Sequence, residues 1–410
     1  MSLDHARAAL SGKKILVTGA TGCIGGRLVE RLATECRVSI RALVRSVPRA
    51  FRIARFPIEF VRGDILDAEI VARALDRCDI VFHCAYGNTG SEACQRAVNL
   101  AGTENVLKAA SRNRKLLRLI HLSTVLVYGI TEDGEIDERA PRRYTGGVYP
   151  DSKLDAEERV LECARSGNVP ATVLQPTEVY GPYASVWTEN VFRRLTQRRV
   201  LLIDGGDGWC SPVYVDDVVS AMLLAATSAR GLGEAFLIGA AQPTTWKEFY
   251  TRFENLLDVR ATVPMAAGEA ERLYRQSRRR RRGLLSEGLK IAFRNPEIRN
   301  RLGRTREAEL LRRFARLVPA PARRRLKSAL RDGGPPGGRG ESPMTADRPL
   351  ELLDPLMIRF YRRKTAFRID KARRLLGYEP RVSLDAGLEL TGAWARWSNL
   401  LPPRADRPND

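Results

Sequence analysis

Tyr149 and Lys153 stand at the two ends of the run Tyr149-Pro150-Asp151-Ser152-Lys153. On a helix that spacing puts both side chains on one face. The Lys153 ammonium can then sit near the Tyr149 phenol, favour its phenolate and make the tyrosine a usable acid or base. The same spacing is common on solvated helix faces, so the pair needs corroboration. Upstream, Thr18-Gly19-Ala20-Thr21-Gly22-Cys23-Ile24-Gly25 sets glycines where a backbone must approach a pyrophosphate closely. The N-terminus of the helix that follows would supply oriented N–H groups. An ordinary glycine turn is the plain alternative, since the spacing is Gly-x-x-Gly-x-x-Gly. A dinucleotide cradle followed by a tunable phenol points to redox chemistry.

In a dinucleotide fold the end of the second strand meets the adenosine ribose. A carboxylate there suits a free 2′-hydroxyl, and an arginine suits a 2′-phosphate. The chain offers Arg41-Ala42-Leu43-Val44-Arg45-Ser46, without a carboxylate. NADP(H) is therefore favoured over NAD(H), with Arg45 as the phosphate ligand; surface arginines in an arginine-rich chain are the alternative. Asp64, after Val61-Arg62-Gly63, is placed to accept from the adenine amino group or to cap the next helix.

These residues need a scaffold. Lys14 to Thr18 reads as a strand and Ile24 to Ala33 as a helix, so the glycine loop joins one to the other. Further strand-like runs follow at Val38 to Val44, Ile58 to Val61, Ile80 to Cys84, Leu117 to Leu122 and Thr172 to Leu174. Between them lie helix-like Ala68 to Leu75, Glu92 to Ala110 and Leu154 to Ala164. This alternation predicts an α/β fold, a Rossmann doubly wound parallel sheet. From Tyr180 the alternation weakens: Val191 to Thr196 and Val215 to Thr227 read as helices and Phe236 to Ile238 as a short strand, which predicts a smaller C-terminal substrate lobe. The expected divisions are 1–178 for the dinucleotide domain, 179–264 and 350–400 for the substrate lobe, and 265–349 for a basic, mainly helical insertion.

With 410 residues and 44% hydrophobic content the chain can bury a sizeable core. Its seven cysteines are an odd number, scattered and without Cys-x-x-Cys, which excludes a disulfide framework and a zinc-type metal site. A reducing cytoplasm fits. No run reaches a membrane span, and the N-terminus lacks the apolar stretch of a signal peptide. The net charge of +21 is concentrated: Met265 to Arg348 holds 23 Lys/Arg against 9 Asp/Glu, or +14. Within it, Arg278 to Arg282 are consecutive, apolar residues interleave with basic ones from Leu284 to Leu330, and Gly333 to Gly340 reads as disordered. That pattern suits peripheral contact with an anionic membrane at its inner face, or a lid or partner contact. Nucleic acid is the poorest fit, for want of aromatics and of any reader motif.

The ordered segments Thr18-Gly-Ala-Thr-Gly-Cys-Ile-Gly25, Gly63-Asp64-Ile65, Val81-Phe-His-Cys-Ala85, Asn99-Leu-Ala-Gly-Thr-Glu-Asn-Val106, Leu122-Ser-Thr-Val-Leu-Val-Tyr-Gly129, Tyr149-x-x-x-Lys153, Val179-Tyr-Gly-Pro182, Val213-Tyr-Val-Asp-Asp217 and Lys371 to Pro380 resemble an extended short-chain dehydrogenase/reductase of the NAD(P)-dependent epimerase/dehydratase group. The resemblance implies that Tyr149 exchanges a proton with the substrate, that Lys153 holds the nicotinamide ribose and lowers the Tyr149 pKa, and that Thr124 orients the reacting oxygen. It places Gly19, Thr21, Gly22, Cys23, Ile24, Gly25, Arg45, Asp64, Ile65, Cys84, Ala85, Tyr149, Lys153 and Pro176 at the cofactor. Tyr86, Ser123, Glu178, Asn190 and Cys210 fall at the substrate. It makes Asn99 a helix brace, while His83 and His121 read as packing residues. Dimers are common in the family.

Two departures narrow the chemistry. Nucleotide-sugar dehydratases of this group carry an Asp-Glu pair after the threonine, where this chain has Val125 and Leu126; without that acid and base a 4,6-dehydratase is excluded. The epimerases offer an asparagine and an arginine to the substrate diphosphate where this chain has Glu178 and Cys210, and a carboxylate repels a phosphate. The resemblance is closer to the 3β-hydroxysteroid dehydrogenase and dihydroflavonol reductase branch. The function it implies is NAD(P)-dependent hydride transfer to or from a secondary alcohol or ketone of a hydrophobic or sugar-like small molecule, with a nucleotide-sugar epimerase as the alternative.

Overall fold

The structure, a computed structural model, describes residues 2–87, 89–130, 133–279 and 349–401. Seven parallel strands form the central sheet: β1 (Lys14–Thr18), β2 (Ser39–Val44), β3 (Ile58–Arg62), β4 (Ile80–His83), β5 (Arg118–Leu122), β6 (Ala171–Pro176) and β7 (Ala235–Ile238), in the order β7-β6-β5-β4-β1-β2-β3. Except for the edge strand β3, whose Glu59 and Arg62 are exposed, the strands read as largely apolar runs because both faces are covered. Successive side chains go to opposite faces: Ile15 and Val17 join one buried cluster and Leu16 the other, and Ile80 and Phe82 are likewise opposed to Val81. Through residue 227 the α-helices among the described residues are α1 (Leu3–Ala9), α2 (Cys23–Glu35), α3 (Ala68–Leu75), α4 (Glu92–Arg112), α5 (Val148–Arg165), α6 (Asn190–Gln197) and α7 (Val215–Thr227). The strand order reverses between β1 and β4, and in an open α/β sheet ligands bind in the crevice outside the carboxyl ends of the strands at such a point.

Two expectations change. The boundary at 178 cuts through the sheet: Ala235–Ile238, expected in the substrate lobe, pairs with β6 in register Ala235↔Val173, and α7 packs on β5 and β6. A lone short apolar run carries no sign of which sheet it joins. Helix α5 begins at Val148 rather than Leu154. Gly147 precedes its first turn, and the Asp151 carboxylate accepts from Thr145 N at 2.7 Å and Gly146 N at 3.0 Å, folding the entry loop back onto the helix. Pro150 is tolerated because the first-turn N–H groups have no partner within the helix. Tyr149 is thereby helical, one turn before Lys153.

The chain forms two compact units. Met1–Ala267, Pro349–Glu351 and Pro355–Asp410 make the first, whose C-terminal segment adds Thr365–Phe367 as a strand beside Gly134–Ile136. The second comprises Gly268–Arg348 and Leu352–Asp354; its residues 268–279 are helical, with Arg275 and Glu271 paired at 2.9 Å. Of the Arg278 to Arg282 run only Arg278 and Arg279 are described, and the amphipathic and Pro/Gly stretches of the insertion lie outside the described residues. No helix among the described residues is long and apolar enough to cross a membrane.

Candidate active site

The end of β1 runs into the glycine loop. Gly19 has φ +68, and a Cβ there would lie 2.6 Å from Ala85 N and from the Cys84 carbonyl carbon. A Cβ on Gly25 would collide with the Gly19 carbonyl oxygen. The loop is thus pressed against the end of β4, and only glycine permits it. Gly22 caps α2 without any side-chain hydrogen bond, the first turn carries no acidic residue, and Thr21 and Gly22 are exposed. A helix start left uncapped by side chains and free of negative charge is suited to an anion, so the chain's own geometry fits a dinucleotide pyrophosphate. Cys23 takes no anionic part: burial pushes its thiol up to about 12, and its Sγ lies 3.4 Å from the Pro182 carbonyl. Ile24 packs against the core, and Cys84 is buried with its thiol likewise pushed up to about 12.

Thr124 follows β5 and its Oγ1 accepts from Leu126 N at 3.3 Å, while its interaction with the Tyr149 phenol works to lower that group's pKa. It both caps a short turn and reaches the phenol. Tyr86, 41% exposed, meets the Tyr149 ring edge-on at 5.8 Å. Lys153 is buried and donates from Nζ to the Leu122 carbonyl at 2.5 Å. Burial lowers Lys153 to about 8 against the opposing pull of Glu157 and Cys84. The expected lowering of the Tyr149 pKa is corrected: burial pushes the phenol well above its ordinary range, Tyr86 adds to that, and the Thr124 bond opposes it. The chain alone holds Tyr149 as a protonated phenol.

Glu157 escaped the sequence reading, although its place one helical turn beyond Lys153 was the available signal. Its carboxylate accepts from Ser123 Oγ at 2.5 Å, Arg142 Nε at 2.7 Å and Gln175 Nε2 at 2.7 Å, and Gln175 Oε1 accepts from the Tyr128 hydroxyl at 2.9 Å. The placement of Ser123 at the substrate is corrected accordingly, because its hydroxyl is committed to this buried network.

Glu178 and Cys210 are corrected as well. Both are buried, and Glu178 Oε2 accepts from Ser211 N at 3.1 Å while Oε1 pairs with Arg363 Nη2 at 3.3 Å. Arg363, which no sequence pattern singled out, lies over the rings of Phe360 at 4.4 Å and Phe367 at 5.4 Å. Phe367 packs with Val125 and Leu154, the neighbours of Thr124 and Lys153. Val125 is thus core, consistent with the missing acid pair. Asn190 begins α6 and its Oδ1 accepts from Arg193 at 2.8 Å on an exposed side.

Arg45 is exposed just past β2, whereas Arg41 is buried and caps α3 through the carbonyls of Arg73, Ala74 and Asp76. Asp64 turns back to accept from Leu66 N at 3.0 Å; the cap of α3 is Asp67, not Asp64. The Ile65 carbonyl accepts from Asn105 Nδ2 at 3.0 Å, and Pro176 ends β6 buried. Asn99 braces two segments, accepting from Gly87 N and donating to Ser152 Oγ, both at 2.8 Å.

Comparison with known proteins agrees with this geometry. A 4-hydroxy-2-methyl-3-oxo-4-farnesyl-3,4-dihydroquinoline-1-oxide ketoreductase of Stigmatella aurantiaca is 29% identical over 259 residues, covering 61% of this chain and 75% of the relative. A 3 beta-hydroxysteroid dehydrogenase/Delta 5-->4-isomerase of Mycobacterium tuberculosis is 28% identical over 255 residues, covering 58% of this chain and 67% of the relative. Among solved structures, an epimerase of Methanothermobacter thermautotrophicus superposes with a TM-score of 0.66 at 22% identity over 97% of each chain, a likeness of fold. Residues 15–239, from β1 through β7, match the NAD dependent epimerase/dehydratase family, and the chain belongs to that family.

Proposed function

We propose that the chain is an NADP(H)-dependent oxidoreductase that interconverts a ketone and a secondary alcohol on a hydrophobic or sugar-like small molecule. The observation that carries this reading is Tyr149 on α5, one helical turn from buried Lys153, with Thr124 just past the carboxyl end of β5 acting on its phenol. A bound nicotinamide supplies or accepts the hydride. In reduction, Tyr149 gives its phenolic proton to the substrate oxygen as the carbon gains hydride, so the carbonyl becomes a hydroxyl. A phenol that keeps its proton at neutral pH suits that direction. Thr124 orients the same oxygen, and Lys153, buried one helical turn away, is the residue that would hold the nicotinamide ribose.

The ketoreductase and hydroxysteroid dehydrogenase among the relatives support a carbonyl or alcohol substrate. The preference for NADP(H) rests on exposed Arg45 past the end of β2.

The test is titration of NADPH and NADH against intrinsic tryptophan fluorescence, followed by incubation with a panel of apolar ketones while nicotinamide absorbance is monitored. Tighter NADPH binding and net oxidation of the reduced cofactor are expected. Tighter NADH binding would reject the Arg45 assignment, and turnover without net consumption would favour the epimerase.

A further inference from the structure

We propose that His83 is a positioning residue, fixed as the neutral Nε2–H tautomer, that ties the strand end beneath the glycine loop to the helix carrying Tyr149 and Lys153. Its functional arm rests on the reading of Tyr149 and Lys153 given above; the tautomer does not.

The direction of each hydrogen bond follows from one carbonyl. Thr103 Oγ1 lies 2.6 Å from the Asn99 carbonyl oxygen, which can only accept, so the Thr103 proton is spent there. Thr103 Oγ1 is also 2.9 Å from His83 Nε2 and must accept from it, which places the ring proton on Nε2. A neutral imidazole carries one ring proton, so Nδ1 is an acceptor, and the Thr18 hydroxyl 2.8 Å away donates to it. Thr18 Oγ1 in turn accepts from Ala85 N at 3.3 Å. The line runs from the Ala85 amide through Thr18, His83 and Thr103 to Asn99.

Both ends matter for the site. Thr18 is the last residue of β1 and adjoins Gly19, whose backbone is pressed on Cys84 and Ala85. Asn99 Nδ2 donates to Ser152 Oγ at 2.8 Å, and Ser152 Oγ donates to the Val148 carbonyl at 2.6 Å within the turn that holds Tyr149. A doubly protonated His83 would present a donor to Thr18 Oγ1, already an acceptor of the Ala85 amide, and strand the Thr18 proton inside the core. Burial and the nearby Lys153 charge also lower His83 to about 3.

The chain has three histidines, which makes the test direct. Long-range proton–nitrogen correlation of the cofactor-free, nitrogen-15 histidine-labelled chain, assigned with His83→Gln, should show the Nε2–H pattern for His83 without titration down to about pH 5. An Nδ1–H pattern, or titration of His83 above that pH, overturns the proposal. His83→Asn keeps an acceptor near the Nδ1 place, and His83→Gln keeps a donor near the Nε2 place. The larger loss, about tenfold for one hydrogen bond, should fall on kcat for His83→Asn and on cofactor Kd for His83→Gln. Equal losses of both quantities in both variants mark a merely structural residue and overturn the positioning role. If no ketone is turned over, the tautomer and the Kd comparison still decide the proposal, while the proposed reaction alone falls. If either variant does not fold, the tautomer of the native chain decides it.

Discussion

Arg363 Nη2 lies 3.3 Å from Glu178 Oε1 across a separation of 185 residues, and neither side chain is more than 4% exposed. Two desolvated charges meet in the core, with Arg363 spread over Phe360 and Phe367. Such a pair adds little net stability, yet removing one member leaves an uncompensated charge in the core. Arg363→Met should therefore destabilise the chain by about 3–5 kcal/mol in urea unfolding. The double variant Glu178→Gln with Arg363→Met should recover much of that loss. A single variant as stable as the native chain would show that the two charges do not depend on each other.

Tyr149→Phe removes the proton donor and leaves the ring beside Tyr86. Loss of general acid catalysis is expected to lower kcat by about 10²–10⁴ with NADPH affinity within about twofold of native. Single-turnover hydride transfer with a ketone substrate checks it. Turnover retained at the native rate would remove Tyr149 from the chemistry.

In the proposed reaction Lys153 is expected to set the pH dependence. It is an ammonium below about 8 and neutral above, so kcat/KM should fall as pH rises through that value. Glu157 opposes the loss of that proton. Glu157→Gln should keep the hydrogen bonds to Arg142 and Gln175 through its amide oxygen while removing the negative charge. The alkaline limb should then move down by about one pH unit. A limb that stays in place, with activity lower at every pH, would mean that Glu157 acts only through packing and hydrogen bonds.

The parts of the site that could be read from the sequence are those with local periodicity. Strands β1, β2, β4 and β5 show as apolar runs because both faces are buried, and Gly19 and Gly25 show because no other residue tolerates that backbone contact. Tyr149 and Lys153 show because one helical turn joins them. What stayed hidden depends on partners far along the chain. Glu178 reads as a carboxylate facing the substrate until Arg363 arrives from beyond the insertion, and Ser123 reads as a free hydroxyl until Glu157 takes it. Strand β7 gave a run too short to declare its neighbour, and β6 supplied it.

His121 offers the last prediction, in stability. It is fully buried with neither ring nitrogen hydrogen bonded, and burial first, then the Lys153 charge, holds its pKa well below the ordinary imidazole value. The unfolded chain can bind a proton at this position as pH falls below roughly 6.5, whereas the native chain refuses it. The unfolded state then holds more protons, so stability rises with pH in that window and is lost as pH falls. His83, lowered to about 3, adds to the same slope. For each histidine the loss approaches roughly 1.4 kcal/mol per pH unit once the unfolded imidazole is charged. His121→Leu removes one of the two terms and also two buried polar atoms that hydrogen bond to nothing. It should be at least as stable as the native chain at neutral pH and lose stability less steeply on acidification. Urea unfolding at several pH values between about 5 and 7 measures both. An unchanged slope would show that the native chain accommodates a charged imidazole at this position.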